Sequence, residues 1–226
     1  MDMIFRIIAG SRMYGTHNEN SDYDYRGIFL PEYNSYFKFN QKDVIESNSN
    51  REDIVYYSIR KFVKLAMANN PNIIEWLYAP EENIVEISPA GRVLVDMKFR
   101  LLNKRYIKDR FTGFSTSEMY KYNNDNRKLK SIMHCTRILY EGIELLQHGA
   151  LTFPRPEASL LLDIRNGLVS HEDIINNIKF LREEINYEYN ECDLLPDITN
   201  NEDIEREMVE IIKKHTRRER CLLIGQ

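Results

Sequence analysis

Apolar positions recur along this chain with two periods, and the switch between them divides it. Met3 to Ala9 is an almost unbroken apolar, β-branched run around Arg6, the pattern of a strand buried on both faces. Tyr23 to Leu30, residues 42–47 and residues 52–57 carry further extended signatures, with a looser segment at 31–41 that holds Pro31, Tyr33, Tyr36 and Phe37. From Ser58 the period lengthens. Ile59, Phe62, Val63, Leu65 and Ala66 share one face of a helix for which Ser58 is a natural N-cap. Asn69-Asn70 ends that helix, Pro71 starts another that reaches Tyr78, and Ser88-Pro89 opens a stretch that ends near Leu102. Helical periodicity then continues at 104–122, 125–148, 157–166, 170–190 and 201–216, interrupted at Gly149, Pro154, Pro156, Gly167 and Pro196. The expected architecture is α+β, with a mixed-sheet region over residues 1–110 and a helical region over 111–226.

Two short motifs sit where the elements change. Gly10-Ser11 follows the first strand at its turn into a helix. A glycine there removes the Cβ that would block a phosphate, and the hydroxyl and free helix-start N–H groups hold anionic oxygens. Asp22 and Asp24 are two apart, so on an extended strand both carboxylates project from one face. Two hard oxygen ligands beside a phosphate cradle suit Mg²⁺. Taken singly, a Gly-Ser turn and an Asp-x-Asp loop are ordinary surface features; in this order and spacing they describe a site for a metal-bound nucleoside triphosphate. Lys130, His134 and Arg137, spaced i, i+4 and i+7, form one stripe on a helix and suit a triphosphate better than a solvated face. Arg26 and Arg12 are further phosphate-ligand candidates, with a salt bridge from Arg26 to a ligand aspartate as its alternative.

These residues resemble the DNA polymerase β-like nucleotidyltransferase superfamily, and more closely its RlaP-like members associated with RNA-repair gene clusters. The likeness rests on Gly10-Ser11-x-x-Tyr14-Gly15-Thr16 and Ser21-Asp22-x-Asp24-x-Arg26-Gly27. It continues through Asn70-Pro71 with Glu75, through Lys130, His134 and Arg137, and to Ile164-Arg165-Asn166-Gly167. The resemblance implies a polymerase β-like catalytic domain followed by a helical domain that presents its Lys/His/Arg helix to the cleft. It implies transfer of a nucleoside monophosphate from an NTP to an acceptor hydroxyl with release of pyrophosphate, an RNA or tRNA end being the implied acceptor. Gly10 and Ser11 would seat phosphates, and Arg26, Lys130, His134 and Arg137 would contact the nucleotide. Such enzymes use two Mg²⁺ or Mn²⁺ ions and a third carboxylate. Asp53, at the start of a strand, is the candidate for that role beside Asp22 and Asp24, while Glu52 or Glu46 would replace it after a one-residue slip.

Composition narrows the alternatives. With 226 residues and 42% hydrophobic content the chain can bury a substantial core. No apolar run has the length of a membrane span and Met1-Asp2-Met3-Ile4-Phe5 does not read as a signal peptide, so a cytoplasmic protein is expected. Cys135, Cys192 and Cys221 have no pairing or zinc-knuckle spacing and read as inert thiols. The net charge of −4 conceals segregation: residues 98–137 hold 11 basic and 3 acidic groups, and residues 138–226 hold 10 and 18. The basic block is interleaved with Tyr106, Phe111, Phe114, Tyr120 and Tyr122, a mixture suited either to a nucleic-acid path or to a helix face balanced by the acidic C-terminal third. A P-loop and a zincin motif are both absent from the sequence. Two other classes stay open: a non-catalytic nucleotide- or RNA-binding module, and a partner-binding, antitoxin-like protein of the same fold.

Overall fold

A computed structural model describes residues 1–226 except 33, 36–41, 50, 126–127 and 225–226, and follows 215–224 as helical backbone only. Tyr33, Tyr36 and Phe37 of the looser segment, Arg127 of the basic block and the Cys221 side chain therefore lie outside the described residues. Five strands form one mixed sheet: β1 (Asp2–Ala9), β2 (Tyr23–Leu30), β3 (Val44–Ser49), β4 (Glu52–Ser58) and β5 (Ile84–Ile87), in the order β3-β4-β2-β1-β5. Only β2 and β4 run parallel; the other neighbours are antiparallel. β1 lies inside the sheet between β2 and β5, which explains its continuous apolar run: Ile4, Phe5, Ile7 and Ala9 are all buried. The sequence pattern does not announce β5. It has four residues, sits at the edge, and buries none of them, so its place depends on pairing with β1 rather than on its own periodicity.

Helices follow in the expected order. α1 (Gly10–Tyr14) continues directly from β1. α2 (Ile59–Met67) is capped by the Ser58 hydroxyl, which accepts from the Lys61 amide, and lays Ile59, Phe62, Val63 and Ala66 on the sheet. α3 (Pro71–Ile74) tightens into a 3₁₀ turn over Glu75–Tyr78, and α4 (Pro89–Asp96) into another over Lys98–Leu101. The stretch expected as one helix from Pro89 to Leu102 is thus two pieces. Asn103 accounts for the stop: its side chain caps α5 (Lys104–Asn124) while its amide donates to Asn69 Oδ1, so the chain must turn there.

α5 and α6 (Leu129–His148) form a helical hairpin joined by a short connection, and α8 (His171–Glu191) packs on α6. α7 (Ala158–Arg165) and α9 (Asn201–Ile224) complete the helical part. A division at residue 110 falls inside α5, which is unbroken across it, and one apolar cluster runs from Ile4 in β1 to Ile211 in α9. Cys135 and Cys192 are free and buried, and burial pushes the Cys135 thiol up to about 12. No described helix is long and apolar enough to cross a membrane.

Candidate active site

The register of the sheet assembles the acidic end of a cleft of about 730 Å³. Ala9, the last residue of β1, pairs with Asp24, so the turn into α1 lies beside the start of β2. In the parallel pairing next to it, Asp24 lies opposite Asp53 of β4. Three segments far apart in sequence thereby bring Gly10, Asp24 and Asp53 to one edge, with Asp22 one step before β2. Gly10, Ser11, Asp22, Asp24, Arg26, Asp53, Lys130, His134 and Arg137 all line this cleft. Glu46 and Glu52, the alternatives to Asp53, do not.

Gly10 has a sharper reason than phosphate access. Its φ is +64°, and a Cβ built there would lie 2.0 Å from Asp24 Oδ2, so the missing side chain makes room for a carboxylate. Gly10→Ala is expected to displace the Asp24 carboxylate and to cost about 1 kcal/mol or more in backbone strain. Weaker Mn²⁺ binding together with a lowered melting temperature would bear this out. Burial raises the Asp24 carboxyl, Arg26 opposes that rise, and Asp53 adds to it. Arg26, expected either as a phosphate ligand or as the salt-bridge partner of an aspartate, forms the salt bridge: its Nη2 donates to Asp24 Oδ1 at 3.1 Å and to Asp53 Oδ2 at 2.7 Å. Arg12 is also redirected. It donates to the Ser21 carbonyl at 2.9 Å and stacks 3.7 Å over Tyr23, clipping the loop that carries Asp22.

The helical wall carries Lys130, Arg137 and Lys121, the last paired with Glu118 at 2.5 Å. α6 offers Lys130, Met133, His134, Arg137 and Ile138 to the cleft, and α5 offers Phe114, Ser117, Glu118 and Lys121, both at helical spacing. His134 is held down to about 3 by burial first, then by Arg137, Lys130, Arg165 and Lys121, and is neutral at pH 7. Unfolded, an imidazole takes a proton near 6.5. The folded value lies below the unfolded one, so stability is full above pH 6.5 and is lost as pH falls towards 3. Between pH 7 and 5 the parent is expected to lose roughly 1–2 kcal/mol that a His134→Gln variant keeps, read from paired chemical denaturation curves.

Arg137 departs from the expected stripe. It is buried beneath Lys130 and His134 on the same helix, with only 2% of its side chain exposed. Its Nη1 donates to Glu75 Oε2 at 2.8 Å and to Glu141 Oε1 at 2.6 Å, and its guanidinium stacks 4.2 Å over the Tyr14 ring. The Tyr14 hydroxyl donates to the same Glu75 carboxylate at 2.8 Å. α1, the 3₁₀ turn after α3, and α6 are therefore joined under the cleft floor, and Arg137 is a floor cation rather than a free phosphate ligand. Burial raises the Glu141 carboxyl to about 7 against the pull of Arg137.

Several lining residues have no role assigned from the sequence alone. Arg165 of α7 lies close enough to His134 to depress it and donates to the Thr16 carbonyl at 3.4 Å. Its signal was its place in the Ile164-Arg165-Asn166-Gly167 motif. Thr16 is buried with an Oγ1 that has no partner among the described residues. Further along β4, Val55 and Tyr57 turn inward in step with Asp53, and the Tyr57 ring stacks on Trp76 at 5.5 Å. Among the described residues of the basic block, only Lys121, Lys130 and Arg137 reach the cleft. Arg100 pairs with Glu207 at 2.5 Å and Lys104 with Asp197 at 3.6 Å, while Lys104 and Lys108 cover Tyr189. The segment expected to offer a nucleic-acid path is in part neutralised by the acidic C-terminal third.

The carboxylates present are oxygen donors that could hold a hard divalent cation. Asp22 and Asp24 line the same cleft as the Gly10-Ser11 turn, and Mg²⁺ is commonly held by one or two carboxylates plus substrate oxygens. Among the described residues no three His, Cys, Asp or Glu side chains converge into a ready-made cage.

A family profile described as the RNA repair pathway DNA polymerase beta family matches residues 1–221. The chain belongs to that family. Within curated proteins, this member is 36% identical over 77 residues to the uncharacterised Bacillus subtilis (strain 168) protein YcgL, covering 33% of this chain and 30% of that one. It is 28% identical over 140 residues to an uncharacterised 38.9 kDa protein of Enterobacteria phage T4, covering 58% and 38%. The chain thus spans about a third of the length of these relatives. Among solved structures, the spectinomycin adenyltransferase AAD(9) from Enterococcus faecialis aligns at 15% identity and a TM-score of 0.39, covering 84% of this chain and 91% of that one. For a nucleotidyltransferase-like protein from Exiguobacterium sibiricum 255-15 the identity is 12%, the TM-score 0.30 and the coverage 84% and 69%.

Proposed function

We propose that this protein is a metal-dependent nucleotidyltransferase that moves a nucleoside monophosphate from an NTP to the hydroxyl of an RNA or tRNA end and releases pyrophosphate. The observation that carries the reading is the shared edge of β1, β2 and β4, where Asp24 and Asp53 pair beside the Gly10-Ser11 turn in a cleft that Asp22, Lys130 and His134 also line. Ser11 and the α1 amides seat phosphate oxygens, and Lys130, Lys121 and Arg165 receive the rest of the triphosphate charge. Asp22 and Asp24 hold Mg²⁺ or Mn²⁺, which when bound neutralises charge on the triphosphate oxygens. Asp53 accepts the proton of the acceptor hydroxyl as its oxygen bonds to the α-phosphorus and the bond to the pyrophosphate oxygen breaks. Rate then comes chiefly from in-line positioning.

The family description supports an RNA acceptor. The pairing of Arg100 with Glu207 and of Lys104 with Asp197 favours a second acceptor reading, a protein or small-molecule hydroxyl. Incubation with each of four α-³²P-labelled NTPs, total RNA and total protein separates them. Label on RNA that is lost with Asp24→Ala is the expected result; label on protein moves the acceptor to the second reading, and no transfer to either sinks both macromolecular acceptors. If RNA is the acceptor, joint neutralisation of Lys104, Arg105, Lys108 and Arg110 is expected to change its salt-dependent binding little, because none of the four lines the cleft.

A further inference from the structure

Arg26 occupies the space between two of the three acidic side chains, and the way it is fixed bears on how many cations this centre takes. Its Nη2 bonds Asp24 Oδ1 at 3.1 Å and Asp53 Oδ2 at 2.7 Å. Its Nη1 bonds the Tyr25 carbonyl at 3.0 Å and the Asp53 carbonyl at 2.8 Å. Four contacts to the backbone and side chains of β2 and β4 hold a guanidinium whose side chain is 18% exposed, which is unlike a loose surface ion pair. Parallel pairing with Asp24 opposite Asp53 puts Arg26, two residues on, on the same face as both.

Asp24 divides its oxygens accordingly. Oδ1 goes to Arg26, whereas Oδ2 lies in the hollow left by Gly10, in the cleft that Asp22 also lines. A second divalent ion between Asp24 and Asp53 would have to enter beside Arg26, which holds one oxygen of each carboxylate, and a guanidinium does not deprotonate to make way. Resting on the nucleotidyltransferase reading, we propose that the centre takes one divalent ion, on Asp22 and Asp24, and that Arg26 is the built-in second cation between Asp24 and Asp53. Arg26 is a positioning residue here. It holds the Asp53 carboxylate next to the metal ligand and supplies a fixed positive charge on the acceptor side, in place of the second ion that the sequence led us to expect.

The test counts ions rather than turnover. Mn²⁺ bound by the full chain is measured by electron paramagnetic resonance with each of the four α,β-methylene nucleoside triphosphates, for the parent, Arg26→Gln and Arg26→Lys. One Mn²⁺ per bound nucleotide in the parent and in Arg26→Lys, rising to two in Arg26→Gln, is the expected result. Should Arg26→Gln fail to fold by circular dichroism, the parent and Arg26→Lys counts decide. Two ions in the parent, or still one in a folded Arg26→Gln, overturn the inference while nucleotide binding leaves the nucleotidyltransferase reading standing. A parent that binds none of the four nucleotides with Mn²⁺ defeats that reading, and this inference with it.

Discussion

Arg137→Ala is expected to destabilise the protein by about 3–5 kcal/mol, the typical cost of removing one partner from a buried ion pair. The change leaves Glu75 and Glu141 facing each other at 5% and 0% side-chain exposure without the cation between them. It also strips the stacking partner from Tyr14, whose phenol burial already raises well above its usual range. Urea denaturation followed by circular dichroism measures the loss. Glu141→Gln tests the cause, because it removes the second carboxylate and keeps Arg137 paired with Glu75; its cost is expected to be well below that of Arg137→Ala. Equal costs, or an Arg137→Ala variant as stable as the parent, would show that the network is not what ties α1 and the α3 turn to α6.

Asp24→Ala should have the opposite profile, with activity lost and stability kept. Asp24 carries one oxygen at the phosphate turn and sits among Asp53 and Asp22, both of which raise its carboxyl. Truncation relieves that repulsion, and Arg26 retains Asp53 and two carbonyl acceptors. The unfolding free energy is therefore expected to stay within about 1 kcal/mol of the parent. Nucleotidyl transfer should fall by more than about 100-fold, because losing a direct ligand costs more than losing an outer partner of one, which itself costs up to about 100-fold. Transfer assays beside denaturation curves decide the point, and undiminished transfer would remove Asp24 from the chemistry.

Local patterns carried much of the architecture because their physical causes are local. The apolar run of β1 reports burial on both faces, and Ser58 before Ile59 reports a cap that the folded chain uses. The same-cleft placement of Asp22 and Asp24 follows from the two-residue repeat of an extended chain. The stripe of Lys130, His134 and Arg137 follows from 3.6 residues per turn, but periodicity gives direction around a helix and not depth. Arg137 went under the floor because Glu75 and Glu141 were waiting there, and Glu75 belongs to a turn 62 residues earlier in the chain.

What tertiary structure alone decided is pairing between distant segments. That Asp53 rather than Glu52 or Glu46 meets Asp24 depends on the parallel register of β2 and β4, which no spacing within either strand specifies. β5 exists as a strand because β1 offers an open edge to four residues too few to show a period. The basic block was visible as composition, yet its partners, Asp197 in the α8–α9 connection and Glu207 in α9, became visible only when the C-terminal segment folded back beside it. Gly10 is the sharpest case. Its place at a turn was written in the sequence, whereas the carboxylate oxygen that needs its missing Cβ comes from another strand, brought there by hydrogen bonds between chains of residues that know nothing of one another locally.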